Sequence, residues 1–301
     1  MKNILVAGSV NMDLVIKTPR LPKLGETIEG SDFETVPGGK GVNQAVAVAK
    51  LGGNVKIIGM RGSDVFGNVS ENNLINCGVG TEGLNNCDAS TGIAVITVCG
   101  GDNFIILDKG ANKYLNEEII EKNRHLFEWA DILVMQLEIP MKTVVYAAKI
   151  AHENNCSVLL NPAPAQRLPA ELYKYTDIIV LNEHEASQIS EISDINDYEK
   201  CIDILTERGI PQVIVTLGEK GSVFNFNGKK AKVPAFKVNA VDTTAAGDSF
   251  IGGLAVGLCE GKNIFECVEY ATAVSAITVS RYGASVSIPD SMEVGHFLNN
   301  I

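Results

Sequence analysis

Six short apolar runs recur along this chain, at 4–8, 55–59, 131–137, 157–160, 177–181 and 212–217. Each has strand length, and none alternates apolar with polar. A strand that is apolar on both sides must be covered on both faces, which is the pattern of a parallel sheet. Helical stretches lie between the runs, at 42–51, 66–77, 115–129 and 141–153, and another opens at 182–185. Alternating strands and helices predict a three-layer α/β/α architecture with a mostly parallel central sheet. A length of 301 residues allows two average domains or one large α/β domain. Because no linker, repeat or low-complexity tract interrupts the pattern, one domain over 1–301 is expected.

Two blocks break the alternation. Residues 14–36 carry Pro19, Pro22 and Gly25, and short strands are expected at 27–28 and 33–36. A second β-like block runs through 91–98 and 103–107, joined by the hairpin signal Gly100-Gly-Asp-Asn103. Together they predict a small sheet inserted at about 13–37 and 91–108. A sheet that small cannot bury both faces alone, so one face should meet a substrate or a partner. Towards the end, 223–226 and 231–233 read as an antiparallel edge, 264–280 as a second apolar helix and 281–287 as an irregular loop.

The chemistry concentrates at Val241-Asp-Thr-Thr-Ala-Ala-Gly-Asp-Ser-Phe250, which leads into an apolar helix carrying Gly252, Gly253 and Gly257. Those glycines suit tight packing on a flat surface. Small residues at Ala245, Ala246 and Gly247 let main-chain amides approach a ligand. A helix N-terminus has unpaired N–H groups and partial positive charge, so it favours a phosphate or a developing anion. Asp248 in that first turn is either an N-terminal cap or a general base beside an anion hole.

Other candidates sit where strands end, the usual ligand edge of an open α/β sheet. Asn11 and Asp13 follow the first strand and suit sugar hydroxyls or an Asx turn. Gly38-Gly-Lys-Gly41 lets backbone close on a small polyol, and Asn43 adds a two-way amide. Glu138 ends a buried strand. Asn182 suits a helix cap, and Gly218 to Ser222 a turn. No P-loop or dinucleotide fingerprint occurs, since the glycine spacing is wrong for both.

Asp242-Thr-Thr-Ala-Ala-Gly-Asp248 and Gly38-Gly-Lys-Gly-Val-Asn-Gln-Ala-Val-Ala47 together resemble the two signatures of the ribokinase-like (PfkB-type) sugar kinases. Asn161-Pro-Ala-Pro-Ala165, Asn182-Glu-His-Glu185 and Thr216-Leu-Gly218 extend the resemblance over nearly the whole chain. It implies an ATP-dependent kinase acting on a pentose, ribose first, at its 5-hydroxyl. Asp248 would be the base, with Ala245, Ala246 and Gly247 completing the anion hole. Asn11, Met12, Asp13, Gly39, Lys40, Gly41, Val42, Asn43, Glu138 and Asp248 would hold the sugar. Asn182, Thr216, Leu217, Gly218, Glu219, Lys220, Gly221, Gly247, Asp248 and Thr272 would hold ATP. Glu185 would belong to the Mg²⁺ environment. Asp242, Thr244, Thr278, Arg281, Gly283 and Ser287 would cage K⁺. The small sheet would act as a lid and as a homodimer contact. The chain departs from the family pattern at Ser249, where Thr is frequent, and at Ile251, where a polar residue is frequent.

A net charge of −11 argues against a nucleic-acid surface. Seven scattered cysteines without a Cys-x-x-Cys pair suit reduced thiols rather than disulfides or zinc. No leader-like layout opens the chain and no apolar run approaches about 18 residues, so a cytoplasmic protein with no membrane partner is expected. The competing readings are kinases of deoxyribose, fructose or nucleosides, and a non-catalytic sugar or nucleotide sensor.

Overall fold

The structure is a computed structural model that describes residues 2–100 and 102–300, with the backbone alone at residue 102. In chain order the strands are β1 (Asn3–Ala7), β2 (Asn11–Lys17), β3 (Ser31–Gly38), β4 (Asn54–Gly62), β5 (Gly80–Cys87), β6 (Gly92–Cys99) and β7 (Asp102–Asp108). They continue with β8 (Ile132–Met135), β9 (Ser157–Leu160), β10 (Ile178–Asn182), β11 (Gln212–Thr216), β12 (Ser222–Phe226) and β13 (Lys229–Val233). Nine of them form the main sheet in the order β13-β12-β11-β10-β9-β8-β1-β4-β5. Pairing is parallel from β11 through to β5, and β12 and β13 add an antiparallel edge.

The unalternating apolar runs are explained by burial on both faces. Leu5, Ala7, Leu133, Met135, Val213 and Val215 point into one core, together with Val144 and Leu205 from helices on that side. Ile4, Val6, Ile132, Val134 and Ile214 point into the other core, with Val46, Leu254 and Val274. That second helix layer includes Lys40–Lys50, Ala246–Cys259 and Ile264–Val279.

The remaining four strands form a separate sheet in the order β3-β2-β6-β7, antiparallel except between β2 and β6. Its strands cover 11–17, 31–38, 92–99 and 102–108. Residues 27–28 are not a strand. The hairpin signal expected at 100–103 includes Gly101, which lies outside the described residues.

Three local features differ from or add to the sequence reading. The single helix read over 115–129 is a 3₁₀ turn, Gly110–Tyr114, and two short helices, Glu117–Lys122 and Arg124–Trp129. Asn116 caps the first of these, accepting from the Ile119 amide, and Asn123 sits at the break. Strand β5 has no apolar alternation: Gly and Asn give it weak intrinsic preference, and pairing with β4 makes it a strand. The glycine-rich helix lies over the sheet through residues such as Leu254, and its glycines face two other helices. A Cβ on Gly252 would overlap Ala47, and one on Gly257 would lie 3.2 Å from Cys267 Sγ.

Candidate active site

Strand order reverses direction at β1, which has β4 on one side and β8 on the other. Open α/β sheets bind ligands outside the carboxyl ends of strands at such a switch. Ser9 follows β1 and Glu138 follows β8, and the Ser9 hydroxyl donates to Glu138 Oε2. The Lys40 amide donates to the same oxygen at 3.1 Å, so Glu138 places negative charge on the N-terminus of the Lys40–Lys50 helix. Its second carboxylate oxygen remains for a ligand.

Gly39 enters this helix at φ 90°, a conformation glycine adopts at no steric cost. Gly41 is required for a different reason. A Cβ there would lie 2.6 Å from the Ser9 backbone, so the helix start could not approach β1. Beyond Val42, two consecutive residues of this helix reach across to Asp248. Asn43 Nδ2 donates to Asp248 Oδ2 at 3.1 Å, and Gln44 Nε2 donates to Oδ1 at 2.9 Å. Asn43 Oδ1 is buried without a protein partner. A buried acceptor is rarely left unpaired, so this oxygen is available to a ligand hydroxyl.

Asp248 lies in the first turn of the Ala246–Cys259 helix and is 6% exposed. Ala245 is the N-cap residue, at φ 58°, and no side chain caps this helix. The cap reading of Asp248 is thereby set aside, because its carboxylate faces the Lys40–Lys50 helix instead. The first turn leaves amides without intrahelical partners. One of the four expected anion-hole amides is engaged, since Ala246 N donates to the Thr243 carbonyl at 3.2 Å. Space beside Gly247 is open, with nothing within 4 Å of where a Cβ would stand. Ser249 turns its hydroxyl back to the Ala246 carbonyl at 2.9 Å, and Ile251 is buried in the core.

Asn11 and Asp13 lie on β2 of the small sheet rather than in a loop after β1. Asn112 fixes Asn11 by donating to its Oδ1 at 2.8 Å, leaving the Asn11 amide nitrogen as a donor. Met12, between them, turns its side chain into the protein at 1% exposure, so only its backbone could meet a ligand. Val42 is likewise buried in the core. Gly38 packs against Asp13, whose carboxylate a Cβ at 38 would overlap.

Burial first, then the charges of Glu138 and Asp248, push Asp13 from an ordinary 3.8 up to about 7. Three carboxylates therefore share one pocket, and Lys40 answers them. Its ammonium is held above the ordinary value, chiefly by Asp248 and also by Glu138 and Glu185.

Asp13 carries a testable consequence. Below about pH 4 it is protonated whether folded or unfolded, and above about 7 it is ionised in both. Between those limits the unfolded chain releases a proton that the fold retains, so stability falls as pH climbs. Asp13→Asn should therefore gain thermal stability relative to the parent between pH 4 and pH 8. Melting curves across that range showing a constant difference would refute the shift.

On the far side of Asp248 lie the expected nucleotide residues. Asn182 and Glu185 form a capping box at the end of β10, each side chain accepting the other's amide. The cap is real, and Asn182 Nδ2 and Glu185 Oε1 stay free of it. Burial raises Glu185 above the ordinary carboxylate range, with Lys40 opposing that rise. Magnesium takes one or two carboxylates along with phosphate oxygens and waters, so this donor set fits. Thr216 ends β11 and donates to the Leu181 carbonyl at 3.2 Å. Leu217, Gly218, Glu219, Lys220 and Gly221 form a tight turn, closed by Leu217 N donating to the Gly221 carbonyl at 2.7 Å. Thr272 gives its hydroxyl to the Val268 carbonyl of its own helix at 2.7 Å, so it offers a ligand no free donor.

The expected cation cage is only partly made of side chains. Asp242 accepts from the Thr244 amide at 2.9 Å, the Thr244 hydroxyl at 2.6 Å and the Gly283 amide at 3.0 Å. This carboxylate ties the 281–288 loop to the segment before the helix. Thr278 and Ser287 spend their hydroxyls on the Val274 and Ala284 carbonyls, and Arg281 pairs with Glu293. What remains for a cation is backbone carbonyl oxygen, a donor type that suits a hard ion. Lys50 was not anticipated here. Its ammonium donates to the carbonyls of Ser285 at 2.8 Å and Ile288 at 2.9 Å. Among the described residues no group of three His, Cys, Asp or Glu could hold a metal, and no helix is long and apolar enough to cross a membrane.

The model of the pfkB family carbohydrate kinases matches residues 1–291. The chain belongs to that family. A ribokinase of Haemophilus influenzae is 40% identical over 303 residues, covering 99% of each chain. The structure of Thermotoga maritima ribokinase superposes with a TM-score of 0.94 at 40% identity and covers all of both chains. An Arabidopsis thaliana ribokinase, solved in complex with ribose and ATP, superposes at 0.93 with 32% identity, covering 99% of this chain and 98% of that one. The family's two signatures are thus the two helix starts that meet at Asp248. Gln44, Ser9 and Asn112 hydrogen-bond to candidate residues, and Gln136 supports Gln44, although none of the four was a candidate from sequence. Gln44 sits inside the first signature, and adjacency to Asn43 was the available signal.

Proposed function

We propose that this pfkB-family chain transfers the γ-phosphoryl group of ATP to the 5-hydroxyl of ribose. The carrying observation is the Asp248 carboxylate, buried at a helix mouth and held by two amides from the helix that also bears Asn43. A sugar hydroxyl must lose its proton near the transition state, and Asp248 receives it. The free amides of Gly247 and Asp248 point where charge develops on the transferring group. Asn11, Asp13, Asn43, Glu138 and the backbone at 39–41 hold the sugar. ATP lies across Asn182, the 216–221 turn and Gly247. Glu185 would hold Mg²⁺, which neutralises phosphate charge when bound. The carbonyls of the 281–288 loop, with Asp242 and Thr244, would hold K⁺ as an activator.

The chain works as one kinase domain, with the β3-β2-β6-β7 sheet as a lid that excludes water. Phe33, Phe104, Ile105, Ile106 and Leu107 are exposed on that sheet, which supports a homodimer formed through it in the cytoplasm. Relatives named ribokinase, one of them with ribose and ATP bound, support the substrate pair. A coupled ADP-release assay over ribose, deoxyribose, fructose and nucleosides, with and without K⁺, tests the proposal. Ribose should give the highest kcat/KM and K⁺ should raise turnover. Preference for another acceptor overturns the first statement, and indifference to K⁺ overturns the second.

A further inference from the structure

Asn43 and Gln44 are consecutive on one helix, yet both reach the same carboxylate. Their remaining hydrogen-bonding atoms differ. Asn43 keeps a buried oxygen without a protein partner. Gln44 keeps nothing: its oxygen accepts from Gln136 Nε2 at 2.6 Å, and its nitrogen also donates to Asn161 Oδ1 at 3.2 Å. Asn161 is anchored in turn, donating to the Val180 carbonyl at 3.1 Å. Gln44 is fully buried, as is the Gln136 side chain behind it at 1% exposure. Gly8 is part of this support, because a Cβ there would overlap Gln136 Oε1.

We infer that Gln44 is a positioning residue for the base, holding Asp248 Oδ1 at a fixed angle. This rests on the reading of Asp248 as base. An amide has two donor hydrogens and one acceptor oxygen, and all three functions of Gln44 are used inside the protein. It therefore cannot serve the sugar, and its charged partner within the protein is the Asp248 carboxylate. Asn43 has the opposite division, one atom on the base and one towards the ligand. A donor locked by Gln136 and Asn161 removes rotational freedom from the carboxylate, which keeps the receiving oxygen aimed.

The test uses the full chain with Gln44→Leu and, to guard against a folding defect, Gln44→Met, whose flexible side chain fills irregular space. Thermal unfolding selects the variant that retains the fold. Its kcat should fall roughly 10- to 100-fold, the size of a charge-assisted hydrogen bond. KM for ribose and for ATP should stay close to wild type. In an Asp248→Asn background the same substitution should cost nothing further, because the two act as one unit. Unchanged kcat, a loss carried mainly by KM, or an undiminished loss in the Asp248→Asn background would each overturn the inference. If Asp248→Asn itself remains active, the base reading has failed and the inference falls with it. If Asp248→Asn is inactive and Gln44→Leu is normal, only the inference has failed.

Discussion

Replacing Asp248 with Asn is expected to lower kcat by about 10²–10⁴-fold, the contribution of a positioned general base. Asn keeps the shape and a carbonyl oxygen that Asn43 or Gln44 can still meet, so the helix contact survives in part. Thermal unfolding should therefore move far less than turnover does. KM for the sugar should change little if Asp248 acts mainly on the proton, because lost transition-state stabilisation appears in kcat. Retention of a tenth or more of wild-type turnover would remove Asp248 from the role. A loss confined to KM would make it a binding residue instead.

The second large effect is expected from Gly252→Val, which touches no ligand. Gly252 is where the helix bearing Asp248 crosses the helix bearing Asn43 and Gln44. A Cβ there would overlap the Ala47 side chain and lie 3.1 Å from the Val48 backbone nitrogen. Valine replaces the lost space with three carbons. Overpacking of this kind costs about 1–3 kcal/mol or more. At roughly 2–4 °C per kcal/mol in a chain of this size, the melting temperature should fall by several degrees. Turnover should fall as well, since spreading the helices pulls both amides off Asp248. Adding Ala47→Gly should restore part of both, as neighbours sharing one contact are coupled. Additive losses in the double variant would mean the two helices do not set the geometry of the base.

Much of this was legible in the sequence because the signals were local. Apolar runs without alternation announced burial on both faces, and the cores on either side of β1 are the reason. The small sheet was readable from Pro, Gly and hairpin residues. Asp248 stood out through its small neighbours. The misses have physical causes too. β5 is a strand through pairing with β4, which no single segment encodes. The Leu115–Trp129 stretch has helical composition, but Asn116 and Asn123 compete for the backbone and divide it. Glycines at 252, 253 and 257 signalled close approach without naming the partner. Gln44, Ser9 and Asn112 work through contacts made across the fold: Gln44 meets Asp248 over 204 positions. Lys50 reaches the 281–288 loop over a similar span, and composition holds no trace of that pairing.

The most direct measurement is a crystal structure of the chain with ribose and a non-hydrolysable ATP analogue. The 5-hydroxyl should lie about 2.6–3.2 Å from an Asp248 carboxylate oxygen, the reach of a general base. The γ-phosphorus should sit beyond that hydroxyl, facing the amides of Gly247 and Asp248. A sugar seated with its 5-hydroxyl away from Asp248, or a terminal phosphate away from that helix start, would contradict the assignment of this carboxylate as the group that takes the proton.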